Sequence, residues 1–213
     1  MSRDTRTLID GPTGKLEVLC EDPAAEPVRA FGVVCHPHPL QGGTLDNKVV
    51  YTLARALQDV GLPTVRFNYR GVGQSEGQYD EGRGETLDTL AVAAWGGARW
   101  PGVPVWLAGF SFGGFVAINA SRQLHAERVV VVAPAVGRLS SFKVDGPRCP
   151  WLLVQGDADE VVAPATVLDW AREQAPAPEI AVFPGVGHFF HGKLVELRSR
   201  VVSFAQKAES PAG

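Results

Sequence analysis

A serine flanked by glycines is the first candidate for chemistry. The string Gly-Phe-Ser-Phe-Gly-Gly occupies residues 109–114, directly after the apolar run Val103–Ala108 and directly before a helical pattern. A nucleophile on so tight a strand-to-helix turn has a strained backbone, and the flanking glycines remove side chains that would collide with it. The pattern therefore predicts that Ser111 projects outward as a nucleophile. The alternative is a glycine-rich turn that only packs a helix onto a sheet.

A serine nucleophile needs a base and an acid, and both residue types occur later in the chain. The base takes the hydroxyl proton, and the acid fixes the tautomer of the base and stabilises the imidazolium that forms. His188 lies in a glycine-framed loop after the strand candidate Ile180–Phe183. Asp157 and Asp159 lie in the loop after the strand candidate Trp151–Gln155. The order Ser, Asp, His suits this topology, but the residues alone do not separate the two aspartates.

Histidines suggest a metal-dependent alternative. The predicted topology gathers four of them in loops at one end of the sheet, where imidazoles and carboxylates could hold a metal-bound water. They are His36, His38, His188 and His191. No H-E-x-x-H or H-x-H-x-D-H string occurs, and a metal site would leave the turn around Ser111 unexplained. We therefore predict no metal.

Two glycine-containing strings differ from nucleotide-binding motifs. The glycines at 71, 73 and 77 give G-x-G-x-x-x-G, which differs from the dinucleotide-binding spacing. The pair Gly14-Lys15 is followed by Leu16, where a phosphate-binding loop has serine or threonine. We therefore predict no nucleotide and no other cofactor.

Strands and helices alternate along most of the chain, and these elements must position the candidate residues. Six short apolar runs are typical of parallel strands covered on both faces. They are Ala30–Cys35, Thr64–Asn68, Val103–Ala108, Arg128–Ala133, Trp151–Gln155 and Ile180–Phe183. Apolar residues recur at helical spacing in Asp46–Val60, Glu85–Arg99, Phe112–His125, Ala165–Ala175 and Lys193–Lys207.

The beginning of the chain has a different pattern. Thr5–Ile9 and Lys15–Cys20 flank a Gly-Pro-Thr-Gly turn and predict an antiparallel hairpin. With it, the sequence predicts an α/β fold: a doubly wound, mostly parallel, eight-stranded sheet with helices on both faces. In such a sheet the ligand site lies beyond the carboxyl ends of the strands.

Composition limits the organisation and the partners. With 213 residues, 45% of them hydrophobic, one domain over 1–213 can bury a sizeable core, with about 1–4 and 208–213 as frayed ends. The net charge of -3 and the lack of a basic run predict no nucleic-acid partner. The three cysteines form no CxxC pair, which suits a reducing compartment, and we predict a cytoplasmic location.

Membrane association is not expected from the sequence. The segment Met1–Asp10 is polar and lacks the apolar core of a signal peptide. The segment Trp100–Ser121 has no charged residue and is long enough to span a bilayer, but prolines and glycines interrupt it. We therefore interpret it as a buried strand, a sharp turn and a packed helix, and we predict no membrane span.

The strings together resemble the α/β-hydrolase superfamily, and more narrowly its small serine esterase-like members without a lid, over nearly the whole chain. The resemblance is carried by His36–Gly43, Asn68–Gly77, the turn at Ser111, Gly156–Val162 and Gly187–Phe189. It implies the α/β-hydrolase fold without a cap domain and a serine hydrolase with Ser111, Asp159 and His188 as its triad. The acid falls on Asp159 because the family's G-x-x-D-x-x-V pattern places it there. Asp157 would then shape the turn.

The oxyanion of such a hydrolase needs backbone N–H donors. The first belongs to Phe112, the residue after the nucleophile. The family's His-Gly-x stretch aligns with His36-Pro37-His38, and the resemblance therefore implies that His38 supplies the second. Leu40 is the alternative, since the prolines around His38 have no N–H.

The spacing between strands also bears on the substrate. Residues 134–150 are too few for a helical cap between the predicted strands, so we expect an open cleft. Phe110, Phe142 and Phe189 could bind substrate there, as could Phe112 and Phe190. An open, apolar cleft predicts short-chain carboxylic esters as small-molecule substrates. The alternatives are a thioesterase, peptidase or acyltransferase on the same triad, or a non-catalytic binding domain.

Overall fold

The computed structural model describes residues 3–22, 27–137 and 144–207. The strands are β1 (Arg3–Gly11), β2 (Gly14–Asp22), β3 (Phe31–Cys35), β4 (Thr64–Phe67), β5 (Val105–Phe110), β6 (Arg128–Val132), β7 (Trp151–Gly156) and β8 (Glu179–Phe183). The α-helices are α1 (Lys48–Asp59), α2 (Arg83–Arg99), α3 (Phe112–Leu124), α4 (Pro164–Arg172) and α5 (Leu194–Gln206). A short 3-10 helix covers Pro39–Gln41.

The strands form one eight-stranded sheet in the order β1-β2-β4-β3-β5-β6-β7-β8. The hairpin β1-β2 is antiparallel, β2 pairs antiparallel with β4, and the pairs from β4 to β8 are parallel. The chain order reverses between β3 and β5, which is where doubly wound sheets bind ligands. The predicted α/β-hydrolase fold is confirmed.

Two apolar cores cover the two faces of the sheet. On β6, Val129 and Val131 belong to one core, whereas Val130 and Val132 belong to the other. Helices α2, α3 and α4 pack on the first face, and α1 and α5 on the second. Because successive residues of a strand point to opposite faces, a strand buried on both sides is apolar at every position. This accounts for the continuous apolar runs in the sequence.

Strand β5 extends further than the sequence predicts. It runs to Phe110 rather than Ala108, because Gly109 pairs with Cys35 of β3 and Phe110 pairs with Val132 of β6. Ser111 alone therefore separates β5 from α3. The other predicted strands and helices agree with the structure to within a few residues at each end.

The described residues between β6 and β7, 133–137 and 144–150, include no helix or strand. The sheet thus has the architecture of a hydrolase without a lid, as expected. No helix in the described part of the chain is both long and apolar enough to cross a bilayer. The single-domain organisation over 1–213 and the cytoplasmic location stay predictions.

Candidate active site

Ser111 occupies a strained turn. Its backbone torsions are φ 55° and ψ -118°, and residues other than glycine rarely adopt such a positive φ. Its N–H donates to the carbonyl of Val132 at 2.9 Å, and its carbonyl accepts the N–H of Ala135 at 3.1 Å. A side chain at Gly109 would collide with the carbonyl of Gly113. The two flanking glycines therefore allow the close approach of strand and helix that the sequence predicts.

His188 and Asp159 lie beside Ser111. His188 Nε2 is 3.0 Å from Ser111 Oγ, and His188 Nδ1 is 2.8 Å from Asp159 Oδ2. Because Asp159 Oδ2 is an acceptor, His188 Nδ1 carries the proton of the neutral ring. The lone pair of Nε2 then faces the serine hydroxyl. The three predicted residues form one hydrogen-bonded chain that could carry the serine proton to the imidazole.

The carboxylate of Asp159 is almost enclosed by donors. Oδ1 accepts the N–H groups of Val161 and Val162 at 2.8 and 2.7 Å. Oδ2 accepts His188 Nδ1–H and also Gln155 Nε2–H, the latter at 3.1 Å. Burial by itself raises the pKa of Asp159, but the hydrogen bonds from His188 and Val162 outweigh it and hold the pKa below its usual value. The buried acid is therefore ionised at neutral pH.

Asp157 has a different position in the same loop. Its side chain is exposed, and Oδ1 accepts the N–H of Gly185 at 2.6 Å. Asp157 thus ties the loop after β7 to the loop that carries His188. The geometry separates the two aspartates, because Asp159 contacts the imidazole, whereas Asp157 contacts the backbone of Gly185.

The phenylalanines predicted to bind substrate differ in position. Phe110 is fully buried and packs against the His188 ring, with 4.9 Å between ring centroids. Its ring therefore offers no surface to a substrate, because strand alternation turns it into the core. Phe189 is 45% exposed and meets the His188 ring edge-on at 5.2 Å. Phe142 lies outside the described residues.

The loop after β3 folds around one carbonyl group. The N–H groups of Gln41 and Gly43 both donate to the carbonyl of His38 at 3.0 Å. The N–H of Leu40 donates to His38 Nδ1 at 3.2 Å, and the Leu40 side chain is 71% exposed. The N–H of Leu40 is thus already used within its own loop. Phe112 begins α3, so its N–H has no acceptor inside the helix.

The ring of His38 is oriented by Tyr79. Because Nδ1 accepts from Leu40, the proton is on Nε2, which donates to the Tyr79 hydroxyl oxygen at 3.2 Å. The His38 ring also lies 5.1 Å from the Phe112 ring, between centroids. The side chains of both proposed oxyanion residues are therefore in contact beside Ser111.

His36 anchors the start of this loop in the core. Its Nδ1–H donates to the carbonyl of Pro37 at 2.6 Å, and its Nε2 accepts the N–H of Tyr69 at 3.2 Å. The side chain is fully buried, and burial lowers the pKa of His36 to about 3. The folded protein therefore holds His36 neutral.

A neutral buried histidine makes stability depend on pH. Between the ordinary pKa of 6.5 and about 3, the unfolded chain protonates His36 while the folded protein does not. The stabilisation is complete above pH 6.5 and decreases as the pH falls, at about 1.4 kcal/mol for each pH unit. Thermal melts from pH 7 to pH 4 should show a smaller decrease for His36→Gln than for the wild type. The exposed His191 is the matched control, and an unchanged slope for His36→Gln would contradict the assignment.

A cleft of about 180 Å³ opens at Ser111. Its lining is mostly apolar and consists of His38, Gln41, Ser111, Phe112, Ala135, Val161 and Val162. Gln41, Ala135, Val161 and Val162 were not predicted as site residues, although Gln41, Val161 and Val162 lie within the strings that carry the resemblance and Ala135 follows a predicted strand end. Gln155 and Tyr79 were not predicted either. A polar residue in an apolar strand was an available signal for Gln155.

The predicted histidines do not assemble around one point. Over residues 3–22, 27–137 and 144–207, no three His, Cys, Asp or Glu side chains come together as a metal-binding group. His36 is buried against Tyr69, His38 contacts Tyr79, and His188 contacts Asp159. The imidazoles thus have separate surroundings.

Two solved structures are similar to this chain over nearly its whole length. One is a Xanthomonas campestris α/β serine hydrolase without a lid, with a TM-score of 0.90, 40% identity, and coverage of 99% of this chain and 97% of that one. The other is an α/β serine hydrolase homologue from Coxiella burnetii, with a TM-score of 0.89, 44% identity, and coverage of 93% and 96%. The TM-scores show that both have the same fold as this chain.

Sequence comparisons agree with the structural ones. An uncharacterised protein of Rickettsia prowazekii is 32% identical over 203 residues, covering 90% of this chain and 84% of its own length. The family model described as serine aminopeptidase, S33, matches residues 40–146, which include the loop after β3 from Leu40 onward and the turn at Ser111. The chain therefore belongs to the S33 serine aminopeptidase family of the α/β-hydrolase superfamily.

Proposed function

We propose that this protein is a serine hydrolase that cleaves short-chain carboxylic esters through an acyl-enzyme on Ser111. The observation that supports it best is the continuous chain from Ser111 Oγ through His188 to the buried Asp159, with contacts of 3.0 and 2.8 Å. Such a chain activates a hydroxyl that is otherwise a weak nucleophile. The strained backbone at Ser111 further supports a nucleophilic role, because strain of this kind clusters at active sites.

In the first step the Ser111 hydroxyl oxygen attacks the ester carbonyl carbon while its proton passes to His188 Nε2. Asp159 stabilises the imidazolium that forms and keeps Nδ1 protonated. The tetrahedral intermediate then collapses, the alcohol leaves with the proton from Nε2, and the acyl group remains on Oγ. In the second step His188 takes a proton from water, which attacks the carbonyl carbon of the acyl-enzyme. The bond from that carbon to Oγ then breaks, the proton on Nε2 returns to Ser111 Oγ, and the carboxylic acid is released.

Backbone donors would stabilise the oxyanion in both steps. The N–H of Phe112 at the helix N-terminus is the first donor we propose, and that of His38 is the second. We prefer His38 to Leu40, because the Leu40 N–H donates to the His38 ring. Removing one such donor typically costs about a hundredfold to a thousandfold in turnover.

The cleft favours a small acyl group. Its volume of about 180 Å³ is below the roughly 300 Å³ from which sites for drug-sized ligands begin. Ala135, Val161 and Val162 give it an apolar wall, which suits a short hydrocarbon chain. Phe189 at the His188 loop could contact the alcohol or the exposed part of the acyl chain.

A panel of p-nitrophenyl esters from acetate to decanoate tests this proposal. We expect kcat/KM to be highest for acetate to butyrate and at least about tenfold lower for decanoate, because the longer chain exceeds the cleft. A thioester and an aminoacyl p-nitroanilide of matched acyl size belong in the same panel, since the family is described as a serine aminopeptidase. A maximum at decanoate, or turnover of the anilide or thioester alone, would contradict the proposed substrate class.

A further inference from the structure

A glutamine occurs in strand β7, whose other side chains are apolar. Gln155 follows Val154 in β7, and its side chain is fully buried. Its Nε2 lies 3.1 Å from Asp159 Oδ2 and 3.2 Å from the carbonyl oxygen of Gly156. Both neighbours are acceptors, so the amide nitrogen must face them and donate to them.

This orientation leaves the other end of the amide unsatisfied. Gln155 Oε1 has no hydrogen-bond donor in the described part of the chain, although it is buried. Rotating the amide would place Oε1 against the carboxylate of Asp159, where two acceptor oxygens would repel each other. An unpaired buried acceptor destabilises a fold, and an apolar residue at this position would avoid it. The amide therefore contributes something other than packing.

We propose that Gln155 is a positioning residue for the catalytic acid. It shares Asp159 Oδ2 with His188 Nδ1 and completes the set of donors around the carboxylate, whose Oδ1 is held by backbone N–H groups. This inference rests on the proposed function, because it assigns a second contact to the acid of that triad.

Two consequences follow from sharing one oxygen. The donor from Gln155 limits rotation of the carboxylate and so keeps the His188 ring aligned with Ser111. It also takes up part of the negative charge on Oδ2 that would otherwise stabilise the imidazolium. Among the described residues, the charged groups that contact His188 are Asp159 and Glu160, and Glu160 accepts the backbone N–H of His188 at 3.3 Å. Replacing Gln155 keeps both carboxylates and removes only the hydrogen bonds that the Gln155 amide donates.

The test compares Gln155→Met with Leu153→Met. Methionine has nearly the length of glutamine without the donor or the unpaired acceptor. Leu153 lies on the same face of β7, two residues earlier, and is equally buried, so its variant reports general effects of core substitution. The measurements are the pH dependence of kcat and KM with p-nitrophenyl butyrate, the rate of labelling by a fluorophosphonate, and the melting temperature.

For Gln155→Met we expect kcat to fall about tenfold with KM within about twofold, because the lost hydrogen bond involves a charged group. The acidic limb of the pH profile of kcat should move upward by about half a pH unit. Without the donor from Gln155, Asp159 Oδ2 stabilises the imidazolium of His188 more strongly. The melting temperature should stay within about 3 °C of the wild type. Leu153→Met should keep the wild-type kcat and profile.

The inference is overturned if Gln155→Met keeps the wild-type kcat and acidic limb, or if Leu153→Met changes both equally. Should Gln155→Met fail to fold, Gln155→Leu carries the same comparison, and failure of both to fold assigns Gln155 to stability alone. If wild-type protein neither hydrolyses the ester nor reacts with the fluorophosphonate, the proposed function fails first. If the fluorophosphonate labels the wild-type protein and the Gln155 variants behave like the wild type, only the role of Gln155 is contradicted.

Discussion

Replacing Ser111 by alanine is expected to lower ester turnover by about 10⁴-fold or more, because no other group forms the acyl-enzyme. The variant should melt close to the wild-type temperature, since the hydroxyl contributes one hydrogen bond, to His188, and the backbone contacts of the turn stay in place. Initial rates with p-nitrophenyl butyrate and a thermal melt measure the two quantities on the same preparation.

Ser121 provides the matched control for this variant. It lies on α3, the helix that follows Ser111, is also buried, and donates its hydroxyl to the carbonyl of Ile118 at 2.7 Å, away from His188. Ser121→Ala should therefore keep its activity and its reaction with a fluorophosphonate, whereas Ser111→Ala should lose both. Activity or labelling of Ser111→Ala near the wild-type level would remove the central residue of the proposal.

The second large effect is expected for Asp159→Asn, at about 10⁴-fold in kcat. The backbone N–H groups of Val161 and Val162 would hold the amide oxygen in the place of Oδ1, so the amide nitrogen would face His188. Two N–H groups cannot face each other, and the imidazole would then carry its proton on Nε2. In that tautomer it cannot accept the proton of the serine hydroxyl.

Asp157→Asn in the same loop provides the comparison. Its amide oxygen can still accept the N–H of Gly185, so we expect kcat within about threefold of the wild type. Measuring both variants at the pH of maximum activity tests which aspartate acts with His188. Equal losses in the two variants would show that the loop as a whole, rather than the contact of Asp159 with His188, supports turnover.

Much of the machinery was predictable because its signals are local. At Ser111 a strand ends, one strained residue follows and a helix begins. Such a turn requires small neighbours, and Gly109 and Gly113 provide them. The continuous apolar runs predicted parallel strands, because a strand covered on both faces has no polar side. The order of strands then brought the loops of Ser111 and His188 to one edge of the sheet.

Other features depend on side-chain direction, which spacing does not determine. Phe110 adjoins Ser111 in sequence, but the strand reaches one residue before the serine and turns the Phe110 ring into the core. The contact of Gln155 with Asp159 likewise depends on how the loop after β7 folds back over the end of its own strand. The pattern of residue types does not show in which of the two directions a side chain points.

The sequence by itself determined the class of fold, the nucleophile turn and the residue types of the candidate triad, because strain, burial and chain order act on short segments. The resemblance implied Asp159 as the acid, and the tertiary structure shows its contact with the imidazole. Tertiary structure alone decided which loop N–H groups are already used and which side chains line the cleft. These depend on contacts of a few ångströms between residues far apart in the chain, and only the packed sheet and its loops set such distances.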